Sequence, residues 1–583
     1  MSRIDPQPVG AAPGGGDADY LIIGGGSAGC VLACRLSADP SVQVVMIEAG
    51  KDAGTTGLPE RVRDPGVRTV FAFEYFWPDA FAQVTSGATA DSTGRVGMTM
   101  LARAVGGGSL VNGLQAGRGL ARDYDEWQDF GVRGWSAQDV LPYFKKVETD
   151  LDYRNPQHGE HGPIHIQRVG DRNWSALSRA LRVALENRGL PRVEDFNDWN
   201  AGEGVGPVPL NFGAEGRMST ANAYLTPEVR RRPNLKIITE TQVSKVVFEA
   251  GRVVGAECEH ASGNYRVRCA NAIICSGAIN SPALLQRSGI GAGAELTEYG
   301  ISVVSDRPGV GLNLQNHALF SVNVLLRRAG RCKGLTRIPS PMVVRYSSKE
   351  RDCPPTDMFI NVWERALGSQ KSDPLGRQVA DLMLQLNKGY SVGEVRLQPA
   401  HPLGMPRVRF NLLQDPRDRR RMAAGLQFIL TLLRDPAVAP LVNDVFQAKF
   451  TPLTMKLMQD TREARILSRL GAVALDGPAI LRRHLLKDSI TPLAPAEDGR
   501  EAERLVHENV IPAGHSVGTC RMGEQSDSRA VIDSRCRVFG VHGLRVVDAS
   551  IFPTIMTAGT NLPVMMAAEK AADMIIEDRR SLR

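Results

Sequence analysis

The stretch "DADYLIIGGGSAGCVLACRLSADPSVQVVMIEAG", residues 17–50, decides the fold. An apolar run from Tyr20 to Ile23, short enough for a buried strand, meets Gly24, Gly26 and Gly29, and helical spacing follows from Ala28 to Leu36. A second apolar run, Val42 to Ile47, ends on Glu48. Strand, glycine turn, helix and strand in that order open a doubly wound parallel sheet. The first glycine permits a tight turn, the second lets backbone amides approach a pyrophosphate, and the third lets helix and strand pack closely. The phosphates would sit at the positive end of the helix. Glu48 stands where a carboxylate accepts hydrogen bonds from an adenosine ribose. The pattern predicts a dinucleotide site and does not by itself separate NAD from FAD.

Outward from this stretch, 583 residues exceed what one ordinary core supports, so two or more domains are expected. A net charge of +7 is small for that length, and no basic stripe or reading motif accompanies it, which argues against a nucleic-acid partner. Nine cysteines without a Cys-x-x-Cys pair read as small core residues in a reducing compartment. Residues 1–16 read as a flexible tail without a secretory signal. No run approaches the roughly 18 uninterrupted apolar residues of a membrane span. A soluble, cytoplasmic protein of open oligomeric state is expected.

The fold class expected is mixed α/β: a Rossmann-like nucleotide-binding domain with an inserted substrate-binding domain built on an antiparallel sheet with helices. The first takes residues 17–160, 226–325 and 505–583; the second takes 161–225 and 326–504, with a contribution from about 58–95. Strand-like runs LKIITE, VSKVVFE, RVVGAECE, YRVRC and NAIICSG crowd residues 235–277. Glycine motifs are absent from the insert, where helical stretches such as RMAAGLQFILTLLRDPAVAPLV appear.

Further motifs occur in a fixed order: ARAVGGGSLVNG (102–113), GAINSPALLQRSGIG (277–291), RPGVGLNLQNH (307–317), GHSVGTCRMG (514–523) and RVVDASIFPTIMTAGTNLPVMMAAEK (545–570). With the first glycine loop they resemble the glucose–methanol–choline (GMC) oxidoreductases, FAD enzymes acting on alcohols, from about Asp17 to the C-terminus. FEYFWPDAF, RDYDEWQDFGVRGWSAQDVLPYFKKVE and GPIHIQRV look most like the bacterial hydroxymethylfurfural and aryl-alcohol oxidase branch; GGGSLVNG and GTCRMG also resemble choline dehydrogenases.

The resemblance implies that Gly24, Gly26, Ser27, Ala28, Gly29, Glu48 and Ala49 bind the ADP half of FAD. It implies that Arg103, Gly107, Ser109, Asn112, Gly113 and Leu114 line the flavin and its linker, and that Val243 touches the adenine. Ser276, Asp548, Ala549, Asn561 and Pro563 complete the cofactor set, His515 is the catalytic base, and Asn561 is its partner at the substrate hydroxyl. Some relatives carry a flavin-linking histidine where this chain has Val111, so non-covalent FAD is expected. Relatives often have Asp where this chain has Asn316, which argues against a charge-dependent role there.

These residue types suit alcohol oxidation. A base at the hydroxyl eases hydride departure, and histidine takes a proton near neutral pH. Asn561 is neutral and donates through its amide. Pro563 and the apolar spacing after it predict a helix whose positive N-terminus points at the site. Trp77, with Phe73 and Phe76, is a candidate aromatic wall; Ala513 and Gly514 border the base. Furan-alcohol oxidases often place a bulky aromatic where Gly514 stands, so a larger aryl or otherwise bulky primary alcohol is expected. The acceptor, dioxygen or quinone-like, is not legible. Alternatives are a choline-type dehydrogenase and a hydroxynitrile lyase. No metal is expected: His158, His161 and His165 lie in a Gly- and Pro-containing loop without helical ligand spacing. His317 is expected to hydrogen-bond near the flavin domain without a catalytic role.

Overall fold

A computed structural model describes residues 10–11, 17–54, 58–64, 72–86, 94–332, 338, 340–365, 374–398, 404–449, 451–457, 461–495 and 499–581. The opening stretch forms the strand Ala18–Ile23, the helix Ser27–Leu36 and the strand Val44–Ile47. Leu21, Ile22, Val31 and Leu32 lie in the core because strand and helix bury their apolar sides against each other.

Around them runs a sheet in the order Leu235–Ile238, Val44–Ile47, Ala18–Ile23, Tyr265–Ile274, Arg252–Glu259, Gln242–Glu249, with Leu544–Val546 also beside Tyr265–Ile274. YRVRC and NAIICSG, expected as two strands, are one ten-residue strand. Its first half pairs antiparallel with Arg252–Glu259, and its second half pairs parallel with Ala18–Ile23. One strand thus joins the parallel core to its antiparallel extension. Of the expected flexible tail, the described part is Gly10–Ala11, and it is a strand, parallel to Tyr265 and Arg266. It pairs there with the outer half of the long strand, beyond the point where Ala18 meets Cys269. The C-terminal helix Asn561–Ser581 packs on Ser27–Leu36 and on Ala137–Val147.

A second sheet is antiparallel throughout its main path: Ile490–Pro492, Val442–Ala448, Ala318–Leu326, Val379–Leu386, Met358–Trp363, Met342–Tyr346, Gly204–Pro207. Alternation gives it two unlike faces. Phe320, Val322, Ile360, Val362, Leu382 and Leu384 point to one side, buried beneath the helices Ala176–Glu186, Pro416–Leu432 and Gly499–Asn509. Ser321, Asn323, Asn361, Trp363, Asp381 and Gln385 occupy the other.

Candidate functional site

Gly24 ends the first strand at φ +106°, and a Cβ there would lie 2.5 Å from the Cys275 carbonyl oxygen. At Gly29 it would lie 2.0 Å from the Gly24 oxygen, so only glycine lets the helix approach the strand this closely. Gly26 differs: it is the helix N-cap, and its Cβ would meet nothing nearer than 3.8 Å. No side chain caps that helix and no acid stands in its first turn, so its N–H groups are open to an anion. The two glycine loops touch back to back, with a Gly107 Cβ only 2.7 Å from Gly26 Cα and Gly106 N donating to the Gly25 oxygen at 2.7 Å.

One elongated cavity is lined by Gly24, Gly26, Ser27, Ala28, Glu48, Ala49, Gly107, Val243, Ser276, Asp548 and Ala549, all expected cofactor residues. Glu48 is buried, and its two oxygens accept from Gly25 N and Gly50 N at 2.8 Å each. Burial raises its pKa, and those N–H groups hold it back. Asp548 accepts from Gly277 N, Ser281 Oγ and Ser550 N, so it shapes the turn as well as lining the cavity. A helix N-terminus, an acid with remaining lone pairs, and backbone that excludes side chains fit an adenine dinucleotide.

Other expected cofactor residues stand outside the lining. Ser109 is fully buried and bonds to the Gly106 oxygen and Thr220 Oγ1, which fixes the second glycine loop from behind. Arg103 Nε donates to the Ala49 oxygen, and its guanidinium lies 4.5 Å from the Trp77 ring centroid. Asn112 Oδ1 accepts from Leu114 N at 3.1 Å and from Arg217 at 2.7 Å, holding Leu114 at φ +68°. Gly113 lies against Trp363, where a Cβ would be 3.4 Å from the indole. Gln115 donates to Asn361, so this segment rests on the polar face of the second sheet. Pro563 is buried in the first turn of its helix. Val111 is packed with Tyr75, Val62 and Leu110.

The histidine expected as the base is held by residues whose pairing the sequence did not disclose. His515, between the cavity-lining Gly514 and Ser516, is half-buried, and its Nδ1 faces His317 Nδ1 at 2.9 Å with the rings near perpendicular. His317 Nε2 lies 2.9 Å from the Met556 carbonyl oxygen. A carbonyl only accepts, so His317 carries its proton on Nε2 and offers a lone pair at Nδ1. His515 must then donate from Nδ1, which leaves Nε2 as its basic atom. Gly559 keeps the space beside that atom open, since a Cβ there would come within 3.5 Å of it. Burial pulls the His515 pKa down to about 4. Burial, and then the His515 charge, drives His317 well below its usual value. Both rings are neutral at physiological pH.

Asn316 bonds on both sides of its amide: Oδ1 accepts from His515 N at 3.0 Å and Nδ2 donates to Ser516 Oγ at 3.2 Å. Asn561 Oδ1 accepts from Ser27 Oγ at 2.9 Å, which turns its amide so that Nδ2 keeps its donors. At the same end, Trp77, Met100, Met405 and Gly514 line the cavity. Ala513 instead uses its N–H on the His317 oxygen. Phe73 and Phe76 form a tilted pair 6.4 Å apart and do not line the cavity, so the aromatic wall reduces to Trp77. A Gly514 Cβ would meet only the Met100 oxygen, at 3.9 Å.

His158 belongs to a separate ion network. Nδ1 faces Glu148 and Asp150 at 3.1 and 3.0 Å, and Nε2 faces Asp195 at 2.8 Å. Burial alone would lower its pKa, but the bonds to Asp150, Asp195 and Glu148 prevail and raise it to about 10. As an imidazolium with both N–H groups engaged, it is a cation among carboxylates rather than a ligand.

Two family models, both described as GMC oxidoreductase, match residues 18–319 and 389–568. The chain is 39% identical over 568 residues to a 5-(hydroxymethyl)furfural oxidase of Methylovorus sp. (strain MP688), covering 96% of this chain and 98% of that one. It is 33% identical over 589 residues to an oxygen-dependent choline dehydrogenase of Brucella anthropi, covering 96% of each. The solved pyridoxine 4-oxidase from Mesorbium loti superposes with a TM-score of 0.77 at 27% identity, over 96% of this chain and 99% of that one.

Proposed function

The chain belongs to the GMC oxidoreductase family, FAD-dependent enzymes acting on alcohols, and from that premise we propose that it oxidises a bulky or aryl primary alcohol to the aldehyde with His515 as the base. Bound in the cavity, FAD would supply the hydride acceptor. The glycine cradle, the uncapped helix Ser27–Leu36 and Glu48 would hold its ADP half; the segment 112–114 would lie along the flavin. Val111 has no nucleophile to offer, which supports non-covalent binding.

His515 Nε2 takes the hydroxyl proton while His317 holds Nδ1–H in place. The Asn561 amide donates to the substrate oxygen without competing for the proton. The N-terminus of the helix Asn561–Ser581 contributes partial positive charge at the same end. The observation that carries the reading is the relay from the Met556 carbonyl through His317, which leaves one histidine nitrogen basic beside the open space at Gly559. Gly514 supports the substrate class: it lines the cavity, and a Cβ there would meet only the Met100 oxygen, at 3.9 Å.

Anaerobic mixing with an alcohol panel tests this. Bleaching of the flavin by bulky aryl alcohols is expected, with His515→Ala keeping yellow FAD and losing most of the reduction. Turnover of small furan alcohols alone would remove the bulky-substrate reading, and a wild-type reduction rate in His515→Ala would remove the base. Peroxide formed on repeating the mixing in air assigns dioxygen as acceptor; its absence assigns a quinone-like one. All nine cysteines are free, which supports a reducing, cytoplasmic setting, and no described helix is long and apolar enough to cross a membrane.

A further inference from the structure

One face of the antiparallel sheet is polar although it is turned inward. Apolar side chains would be the ordinary occupants of such a face. Asp381 stands directly opposite Asn323 on one neighbouring strand and Trp363 on the other. Asn323 and Asn361 have partners: their Oδ1 atoms accept from Ala448 N and from Gln115. Asp381 is 9% exposed, and its Oδ2 accepts from Ser321 Oγ at 3.0 Å, while Oδ1 has no partner among the described residues. Trp363 Nε1 is buried and equally without one. Burial raises the Asp381 carboxyl to about 7, the Ser321 hydrogen bond only partly opposing it. An open acceptor and an open donor on adjacent strands are groups that a ligand completes.

This face meets the segment 113–115, where Gln115 donates to Asn361. Trp363 touches Gly113 of the segment expected along the flavin. Ser321 lies four residues on from His317 along the same strand direction, about 13 Å of extended chain. A phenylpropanoid alcohol with a hydrogen bond at each end covers more of such a distance than a single-ring benzyl alcohol does.

Resting on the reading of the chain as an alcohol oxidoreductase, we infer that Asp381 is a specificity-determining residue, whose open carboxyl oxygen accepts a hydrogen bond from a donor that the substrate carries at the end remote from the reacting carbinol. The donor is a hydroxyl or a protonated amine. A hydroxyl meets both open groups, donating to Asp381 and accepting from Trp363 Nε1–H; an ammonium meets the first alone.

The test compares cinnamyl alcohols bearing a para hydroxyl, a para aminomethyl or a para methyl group, on the FAD-loaded wild type and Asp381→Leu. The wild type should favour a donor-bearing alcohol over the methyl one by about tenfold or more in kcat/KM, equivalent to about 1.4 kcal/mol. Asp381→Leu, which has no acceptor, should erase that preference and leave the methyl alcohol and the FAD content unchanged. Preference for the hydroxyl over the aminomethyl arm identifies a neutral donor, and the reverse a cation. In a binding arm, 4-propylphenol and 4-propyltoluene, which lack the carbinol, are titrated against the flavin absorbance. The phenol should bind the variant about tenfold more weakly, with the toluene unaffected. An equal response of both proteins to all three alcohols, or a wild-type preference for methyl, overturns the inference without needing the variant to behave. Failure of every alcohol to bleach the flavin overturns the alcohol reading instead, and the binding arm still judges Asp381 by itself.

Discussion

Replacing His317 by leucine probes the base without touching it. In the wild type, His515 Nδ1 and the Met556 carbonyl share the two nitrogens of His317 at 2.9 Å each. Leucine removes both partners, and a buried polar group left without one costs about 1–3 kcal/mol. The same energy is lost from the preference for the tautomer with a basic Nε2. A bias of that size sets the tautomer ratio at about tenfold to a hundredfold, and without it the competent form falls from nearly all to about half of the population. Anaerobic stopped-flow reduction should therefore slow by about twofold from the tautomer alone, and further as the untethered ring turns, with FAD content retained and about 2 kcal/mol of stability lost. His317→Gln, which can accept from His515 and donate to Met556, should recover part of the rate. The pH dependence follows from burial. His515 is held at about 4 in the fold against 6.5 when free, so reduction should rise with pH through about 4 and stay flat through neutrality. The unfolded chain binds more protons between those values, so this group's contribution to stability is full above 6.5 and is lost as pH falls toward 4. Reduction at the wild-type rate in His317→Leu would refute the tautomer argument, and a rate that rises only above pH 6.5 would refute the burial argument.

The two helix glycines should separate folding from binding: Gly29→Ala drives a Cβ to 2.0 Å from the Gly24 oxygen and should lower thermal stability by about 1–3 kcal/mol or more, whereas Gly26→Ala meets open cavity and should fold yet fail to retain FAD. Equal melting temperatures for both variants would contradict this. Gly514→Trp should shift kcat/KM toward small furan alcohols, since its side chain enters unfilled space, at about 1–2 kcal/mol of backbone cost for φ +77°; an unchanged substrate ratio would refute the pocket role. His158→Ala removes one cation of this network, leaving Arg118 on Glu148 and Arg168 on Asp150 and Asp195, and should cost about 1–3 kcal/mol in denaturant titration. Because the folded pKa of His158 is raised to about 10, the wild-type contribution is full below about 6.5 and fades as pH climbs through 10; a stability profile flat through that range would contradict the imidazolium.

The nucleotide half of the molecule was legible along the chain because its determinants are local. Gly24, Gly26, Gly29 and Glu48 sit within one strand–helix–strand unit, and steric contact across a tight turn leaves no residue but glycine at Gly24 and Gly29. Even there, local reading stopped at roles that depend on direction: Ser109 faces Thr220 behind the loop instead of the cavity, and two apparent strand runs proved to be one, because pairing partners on either side decide where a strand ends. The motif order pointed to His515 and Asn561, but the groups that tune them come from far away. His317 is 198 residues from His515, and Ser27 is 534 from Asn561. Tautomer, depressed pKa and amide orientation all follow from those contacts and from burial, which are properties of packing. Asp381 is the clearest division. Its sequence neighbours mark it as one polar residue in a strand, and only the packing of the sheet leaves its carboxyl oxygen buried without a partner among the described residues.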